Sequence, residues 1–296
     1  AVQIDASGLD WIDEDLVVRA FGWKGNHSTI RAFTRGAAHN ELGLQAVEIV
    51  GNADGDYDGV IDELTVGDMT ALTVYMAGLE RPVTAIELEE LGLIELSEAD
   101  KTDILTGEEL FVSTGCASCH TPTMPIADPH YREPSNTPGF YEVTFPAGSD
   151  AGSHGLSFAS AIEFNLAGDQ PNNRIDLEDG STHLLGGLEI DEDGTAVAHW
   201  YTDFKRLDMG PDLADPDDPL GLGASTFLTR SLAGVGITGP WLHDGRATTL
   251  NEAITMHGGA ATDSRNSYVS LPERERAQIQ AFLENLPMHQ LVEEHG

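Results

Sequence analysis

Cysteine is nearly absent: the 296 residues contain two, Cys116 and Cys119, both inside one short motif, so no disulfide framework can hold this fold together. Long apolar runs are also missing. No stretch approaches the roughly twenty apolar residues of a membrane span, which excludes a chain embedded in a bilayer. Basic residues are scarce, fifteen against fifty acidic, and the net charge of -35 repels nucleic acid and anionic lipid. It reads first as a solvated acidic surface and second as an attraction for cationic partners. The opening AVQIDASGLDW has neither the basic start nor the apolar run of an export signal, so any such signal was removed or lies outside these residues. What remains, 40% hydrophobic residues over this length, is enough for a real core in one large or two ordinary domains.

Along the chain, STIRAFTRGAAHNELGL predicts a helix in which Ile30, Phe33 and Ala37 recur at helical spacing, after turns at Gly22 and Gly25. A dense Asp/Gly loop, NADGDYDGVIDE, leads to a helix from about Thr65 to Leu79 with apolar Val66, Met69, Leu72 and Val74 to Met76, stopped by Arg81-Pro82. A soft boundary falls in 80–105, because a helix starting at Gly107, GEELFVSTG, runs straight into the cysteine motif. Alternation in FYEVTF and a turn at Asp193-Gly194 in LEIDEDGTAVAHW predict short hairpins in a long insertion, about 121–225. The last helix begins near Pro272 and puts Ile279, Phe282, Leu283 and Leu286 on one face. The expected fold is therefore mainly α: a small helical region, 1–105, then a cytochrome c-like haem domain, 106–296, carrying the insertion.

The motif is GCASCHT. Its C-x-x-C-H spacing offers two thiols to the two vinyl groups of one haem and sets His120 beside them as an iron ligand. Two rivals stay open: a thioredoxin-like dithiol, which needs no histidine, and half a zinc site, which lacks its second cysteine pair. Gly107, Leu110 and Phe111 favour haem, as a short apolar-faced helix entering the attachment site. Covalent haem of this kind occurs on exported proteins, so the expected compartment is the periplasm or the medium. A haem with both axial positions filled carries electrons, whereas one with an open position can bind peroxide or oxygen.

Three blocks in order, FGWKGNHSTIRAFTRGAAHNELGL, GEELFVSTGCASCHTP and SLAGVGITGPWLHDGRATTLNEAITMHGG, resemble the bacterial di-haem cytochrome c peroxidase superfamily. Within it they resemble the di-haem oxidoreductases, also named thiol oxidoreductases. The resemblance makes Cys116, Cys119 and His120 the second, C-terminal haem site, which delivers electrons. The first C-x-x-C-H, expected before FGWKG, is not among these residues, so the resemblance implies a second haem domain outside them or on another chain, with a small redox carrier protein as donor. It implies His257, in TLNEAITMH, as the sixth ligand, with Met256 and the glycine- and proline-flanked Met209 as alternatives. It also implies Trp23 as an electron bridge between haems, Glu41 as the acid that helps cleave peroxide at the first haem, and His243 and Arg246 as neighbours of the haem propionates. Turn formation by Asp244-Gly245 accounts for part of that last block.

Two calcium expectations complete the list. Asp54, Asp56, Asp58 and Gly59 occupy positions one, three, five and six of an EF-hand loop, but Thr65 stands where the bidentate Glu belongs. By the resemblance, Thr238 and Pro240 supply backbone donors to a calcium site between two domains. Three functions follow: an electron-transfer domain of a di-haem oxidoreductase, a non-enzymatic mono-haem cytochrome subunit, or a calcium-dependent binding module with a structural haem.

Overall fold

The computed structural model describes residues 17–135, 161–168, 173–177, 179–218 and 221–286. The segment FYEVTF lies outside them. Four of the N-terminal helices start where a hydroxyl takes an orphan backbone N–H. Thr29 caps α1 (Ile30–Leu42), Thr84 caps α4 (Ala85–Glu90), and reciprocal Thr65/Asp68 and Ser97/Asp100 capping boxes start α3 (Val66–Ala77) and α5 (Glu98–Ser113). The one-turn α2 (Val47–Val50) lies between α1 and α3. After the motif come seven short strands. They are β1 (Met124–Ile126), β2 (His130–Glu133), β3 (Ile162–Asn165), β4 (Arg174–Asp176), β5 (Thr182–Leu184), β6 (Glu189–Ile190) and β7 (Ala196–Ala198). A further pair, β8 (Arg206–Asp208) and β9 (Thr226–Leu228), precedes α6 (Leu250–Thr255), α7 (Thr262–Ser270) and α8 (Glu273–Glu284).

The strands form four small antiparallel sheets, ordered β1-β7-β6, β2-β3, β4-β5 and β8-β9. The β6-β7 hairpin turns at Gly194, in the left-handed region at φ 83°, as its Asp-Gly sequence predicts. The expected mainly α, cytochrome c-like architecture is corrected by this count. The described residues are 37% helical and 14% strand, a mixed fold with eight helices and several small sheets. Strands of two to four residues are too short for alternation to show, and β8-β9 extends strand structure past the expected insertion. No helix among the described residues is long and apolar enough to cross a membrane.

The main core gathers Phe111 from α5, Tyr201, Leu250, Tyr268 and the α8 face Ile279, Phe282 and Leu283, with Leu286 behind them. The α8 face is the one its spacing predicts. Gly107 does not start a helix; it sits inside α5. A Cβ there would collide with the backbone carbonyl of Gln278 and the Cβ of Phe282, so glycine lets α5 and α8 cross in close contact. A second cluster packs Val83 and Leu88 against Ile175 and Leu185, joining the N-terminal region to the insertion.

On α1 the buried residues are Arg31, Ala32, Arg35 and Ala38, whereas Phe33 is exposed. On α3, Val66, Met69 and Thr73 are buried, whereas Leu72, Tyr75 and Met76 are exposed. The reason is ionic. Glu48 of α2 is fully buried and takes both oxygens to Arg31 and one to Arg35 at 3.2 Å. Arg31 also donates to Glu133 of β2 at 2.6 Å and to Thr70 of α3 at 3.0 Å. Burial pushes the Glu133 carboxyl up, against the pull of Arg31. Two cations and two anions thus tie α1, α2, α3 and the β2-β3 pair together. Removing one partner of such a group leaves an uncompensated buried charge, so Glu48→Ala is expected to cost about 3–5 kcal/mol in denaturant unfolding. Loss of the surface pair Asp244–Arg246 should leave the unfolding midpoint near wild type; equal effects of the two changes would contradict the assigned role of the buried cluster.

Candidate functional site

Helix α5 ends at Thr114, and Gly115, at φ 90°, reverses the chain into a short turn, Cys116–Ser118. A side chain is excluded at Gly115 twice over, by the left-handed backbone and by Ser264 Oγ, 2.9 Å from where a Cβ would stand. The turn is held by Cys119 N–H and His120 N–H donating to the Cys116 carbonyl, at 3.3 and 3.0 Å. Both cysteines are free and half-buried, and burial pushes the Cys116 thiol pKa up, keeping it protonated. His120 sits beside Phe111, ring centroids 6.4 Å apart, and its Nδ1 donates to the Tyr201 carbonyl at 3.1 Å.

A second imidazole arrives from another part of the sequence. A Thr249/Glu252 capping box starts α6, and just beyond the helix His257 Nδ1 donates to the Ala253 carbonyl at 2.8 Å. Behind it, Gly258 and Gly259 lie against the backbone of Asp208, Met209 and Gly210, so closely that a Cβ on either would collide with a carbonyl. A carbonyl only accepts, so the Nδ1 contacts place the proton on that nitrogen in both histidines; the Arg230 carbonyl also lies within reach of the His120 ring. Burial, then the like charge of His257, lowers the His120 pKa to about 4, and burial lowers that of His257. Both are neutral near pH 7, the form in which imidazole ligates a metal.

Both rings line a cavity of about 530 Å³, within the roughly 300–1,000 Å³ of small-molecule and cofactor sites. Cys116 and Cys119 are on its wall. Much of the rest is apolar, including Leu207, Leu213, Phe227, Leu250 and Ile254. Among the described residues no Asp or Glu lines it, in a chain with fifty of them, whereas Arg230 and Arg265 do. These donors fit a haem: two thiols for its vinyls, two nitrogen ligands for its iron and apolar walls for its ring.

Of the residues singled out from the sequence, Trp23, Met209, Thr238, Pro240 and His243 also line the cavity. His243 stacks on Phe227 at 4.7 Å, and Trp23, 47% exposed, forms part of the rim with the Arg230 guanidinium 5.4 Å over its ring. Met256 is partly exposed and, like Arg246 and Glu41, is not among the lining residues. Arg246 is engaged by Asp244 at 2.6 Å and by the Asp212 carbonyl at 2.7 Å. Glu41 is exposed near the end of α1. Apart from these, Asp54, Asp56 and Asp58 bring one carboxylate oxygen each within 4.8 Å of one another. Thr65 serves α3 as its cap, bonded to Asp68 at 2.7 Å. Sequence reasoning missed Arg230, Arg265 and the Tyr201 carbonyl; no spacing rule marks a residue whose function is to face a cavity from a loop.

Residues 181–286 match the model of the family described as "Di-haem oxidoreductase, putative peroxidase". The resemblance read from the sequence is thereby borne out. The matched range holds Met209, Arg230, His243 and His257 and excludes the cysteine motif. No curated protein matches the chain. Among solved structures that match is the "Crystal structure of a MauG-like protein associated with microbial copper homeostasis", 16% identical, over 93% of this chain and 72% of that one. Its TM-score of 0.41 is too low for that likeness to carry any argument about this chain.

Proposed function

We propose that this chain holds one haem, bonded through Cys116 and Cys119 and ligated by His120 and His257, and that it is the electron-transfer part of a di-haem oxidoreductase. The observation that carries this is the pair of neutral imidazoles, each with Nδ1 anchored on a carbonyl, in one cavity with both cysteines and, among the described residues, no carboxylate. When bound, the haem supplies one-electron exchange at its iron.

The residues do the rest. Cys116 and Cys119 would hold the haem by adding their S–H groups across its two vinyls, an addition that needs no oxidant. The carbonyls of Tyr201 and Ala253 hold the rings in the tautomer that presents Nε2 and raise its basicity, as outer partners of metal-bound histidines do. Two strong ligands would leave no position for peroxide, so the site stores and passes electrons. Phe227, Leu250 and Ile254 exclude water, and Trp23 at the rim offers a short path outward. The proposed donor is a small redox carrier, and the acceptor is a second haem domain or chain, where Glu41 would serve as the acid. The proposed location is the periplasm or the extracellular space, and residues 106–296 the haem-bearing part.

The alternative of a mono-haem cytochrome subunit shares this site and differs in lacking the second haem partner. Acid-acetone extraction of the wild-type protein should leave haem absorbance on the polypeptide, and intact mass should show one haem per chain. Cys116→Ala with Cys119→Ala should release it. Extractable haem in the wild type, or none, would contradict the proposal.

A second reading, for the Asp-rich loop, is calcium binding by Asp54, Asp56 and Asp58, favoured by the close approach of their carboxylates. The Asp54 oxygen Oδ1 is buried without a hydrogen-bond partner. Calorimetric titration of the haem-loaded chain with calcium should give a saturable signal that is lost in Asp56→Asn with Asp58→Asn. No heat in the wild type, or heat unchanged in the variant, would refute it.

A further inference from the structure

Two cations stand on the cavity wall, Arg230 and Arg265, and no carboxylate among the described residues pairs with either. Lys24, whose ammonium lies 4.6 Å over the Phe227 ring, donates to the carbonyls of Gly223 and Ala224 at 3.1 and 2.9 Å. Arg206 donates to the Gly25 carbonyl, Lys205 pairs with Asp203, and Arg246 pairs with Asp244. The Arg230 guanidinium has one neutral partner, the Gly22 carbonyl at 3.2 Å, and the face of Trp23; no carboxylate among the described residues reaches it. Partial desolvation lowers its pKa, although the residue as a whole is exposed at the cavity rim, where its guanidinium is open to an anion carried by a ligand.

The other cation on the wall, Arg265, stands elsewhere. It follows Ser264, whose Oγ packs on Gly115 next to Cys116, and its Nε donates to Asn266 at 3.2 Å. That is the thioether edge of the site. A haem carries its two propionates on the side of the ring away from its vinyls, so a cation beside the cysteines is badly placed to meet them. The side-chain contacts of Arg230 are with Gly22 and Trp23, whereas its backbone carbonyl lies beside the His120 ring. Those side-chain contacts are made by the Gly22–Trp23 segment and the wall that carries Phe227 and His243.

On the basis of the haem reading above, we propose that Arg230, stacked on Trp23, is the positioning residue for the haem propionates, and that Arg265 is not. The planar guanidinium can meet a carboxylate with two parallel N–H donors. Trp23 has a second consequence here: it fixes the plane of the guanidinium, so that the residue at the cavity rim also aims the cation. A held propionate stays ionised over the working range, and the haem then changes charge without taking up a proton.

The test is a redox titration of the haem-loaded full chain as a function of pH, comparing wild type, Arg230→Gln, Arg230→Lys and Arg265→Gln. Arg230→Gln should lower the midpoint potential, because losing a nearby cation favours the oxidised iron, and should introduce a pH-dependent slope in the weakly acidic range as a propionate begins to titrate. Arg230→Lys keeps the charge but loses the fork, so an intermediate slope is expected, and it serves in place of the glutamine variant should that fail to fold. Arg265→Gln should keep the wild-type pH profile. Haem-loaded Arg230 variants whose profiles superimpose on wild type, or an Arg265→Gln profile that acquires the slope instead, would overturn this assignment alone. A wild-type chain that carries no haem would overturn the haem reading and this assignment with it.

Discussion

An imidazole that has committed Nδ1–H to a backbone carbonyl has one lone pair left to offer, and the direction of that lone pair is set by the backbone. His120 and His257 are both in this condition, 137 positions apart in the sequence and on the wall of one cavity. Much of the architecture serves to hold those two carbonyls in place. Tyr201 is buried in the main core against Phe111 and Phe282, and its hydroxyl donates to Glu108 of α5 at 3.0 Å. Ala253 belongs to α6, whose Leu250 joins the same core. The helix that leads into the cysteine motif therefore also braces the carbonyl that orients the histidine of that motif.

The crossing of α5 and α8 is the second constraint. Gly107 brings the two backbones together and lets Phe282 reach Phe111, with ring centroids 5.2 Å apart. The N-terminal region is held differently, by the buried charges around Glu48 and by the small apolar cluster at Ile175. Such an ion cluster adds little net stability compared with an apolar core of the same volume. It does make the docking of α1, α2 and β2 specific, because a slipped register would strand a charge.

The sequence exposed some of this and hid the rest for physical reasons. Apolar spacing after Thr65 and the apolar face of α8 gave those elements correctly, and the Asp193-Gly194 turn gave the β6-β7 hairpin. The C-x-x-C-H spacing and the block around His257 pointed to two walls of the same cavity. Periodicity misled on α1, where arginines are inside because their partner Glu48 is too, and apolar Phe33 is left outside. The start of α5 was placed nine residues late, since Gly107 reads as a helix breaker until its neighbour on α8 is known. The other small sheets escaped because each strand has four residues or fewer. Arg230 escaped because what marks it is the lack of a carboxylate nearby, a property of the folded molecule.

The account depends most directly on both imidazoles reaching one iron. The measurement that tests it is low-temperature electron paramagnetic resonance of the oxidised protein, combined with its near-infrared absorption, in wild type and in His257→Ala. The account predicts a low-spin bis-imidazole signal in the wild type and, in the variant, conversion to a species that binds added cyanide or imidazole. A methionine-to-iron charge-transfer band in the wild type would contradict it and move the sixth ligand to Met209, and a high-spin wild-type signal would show an open coordination position and make this haem the reactive one.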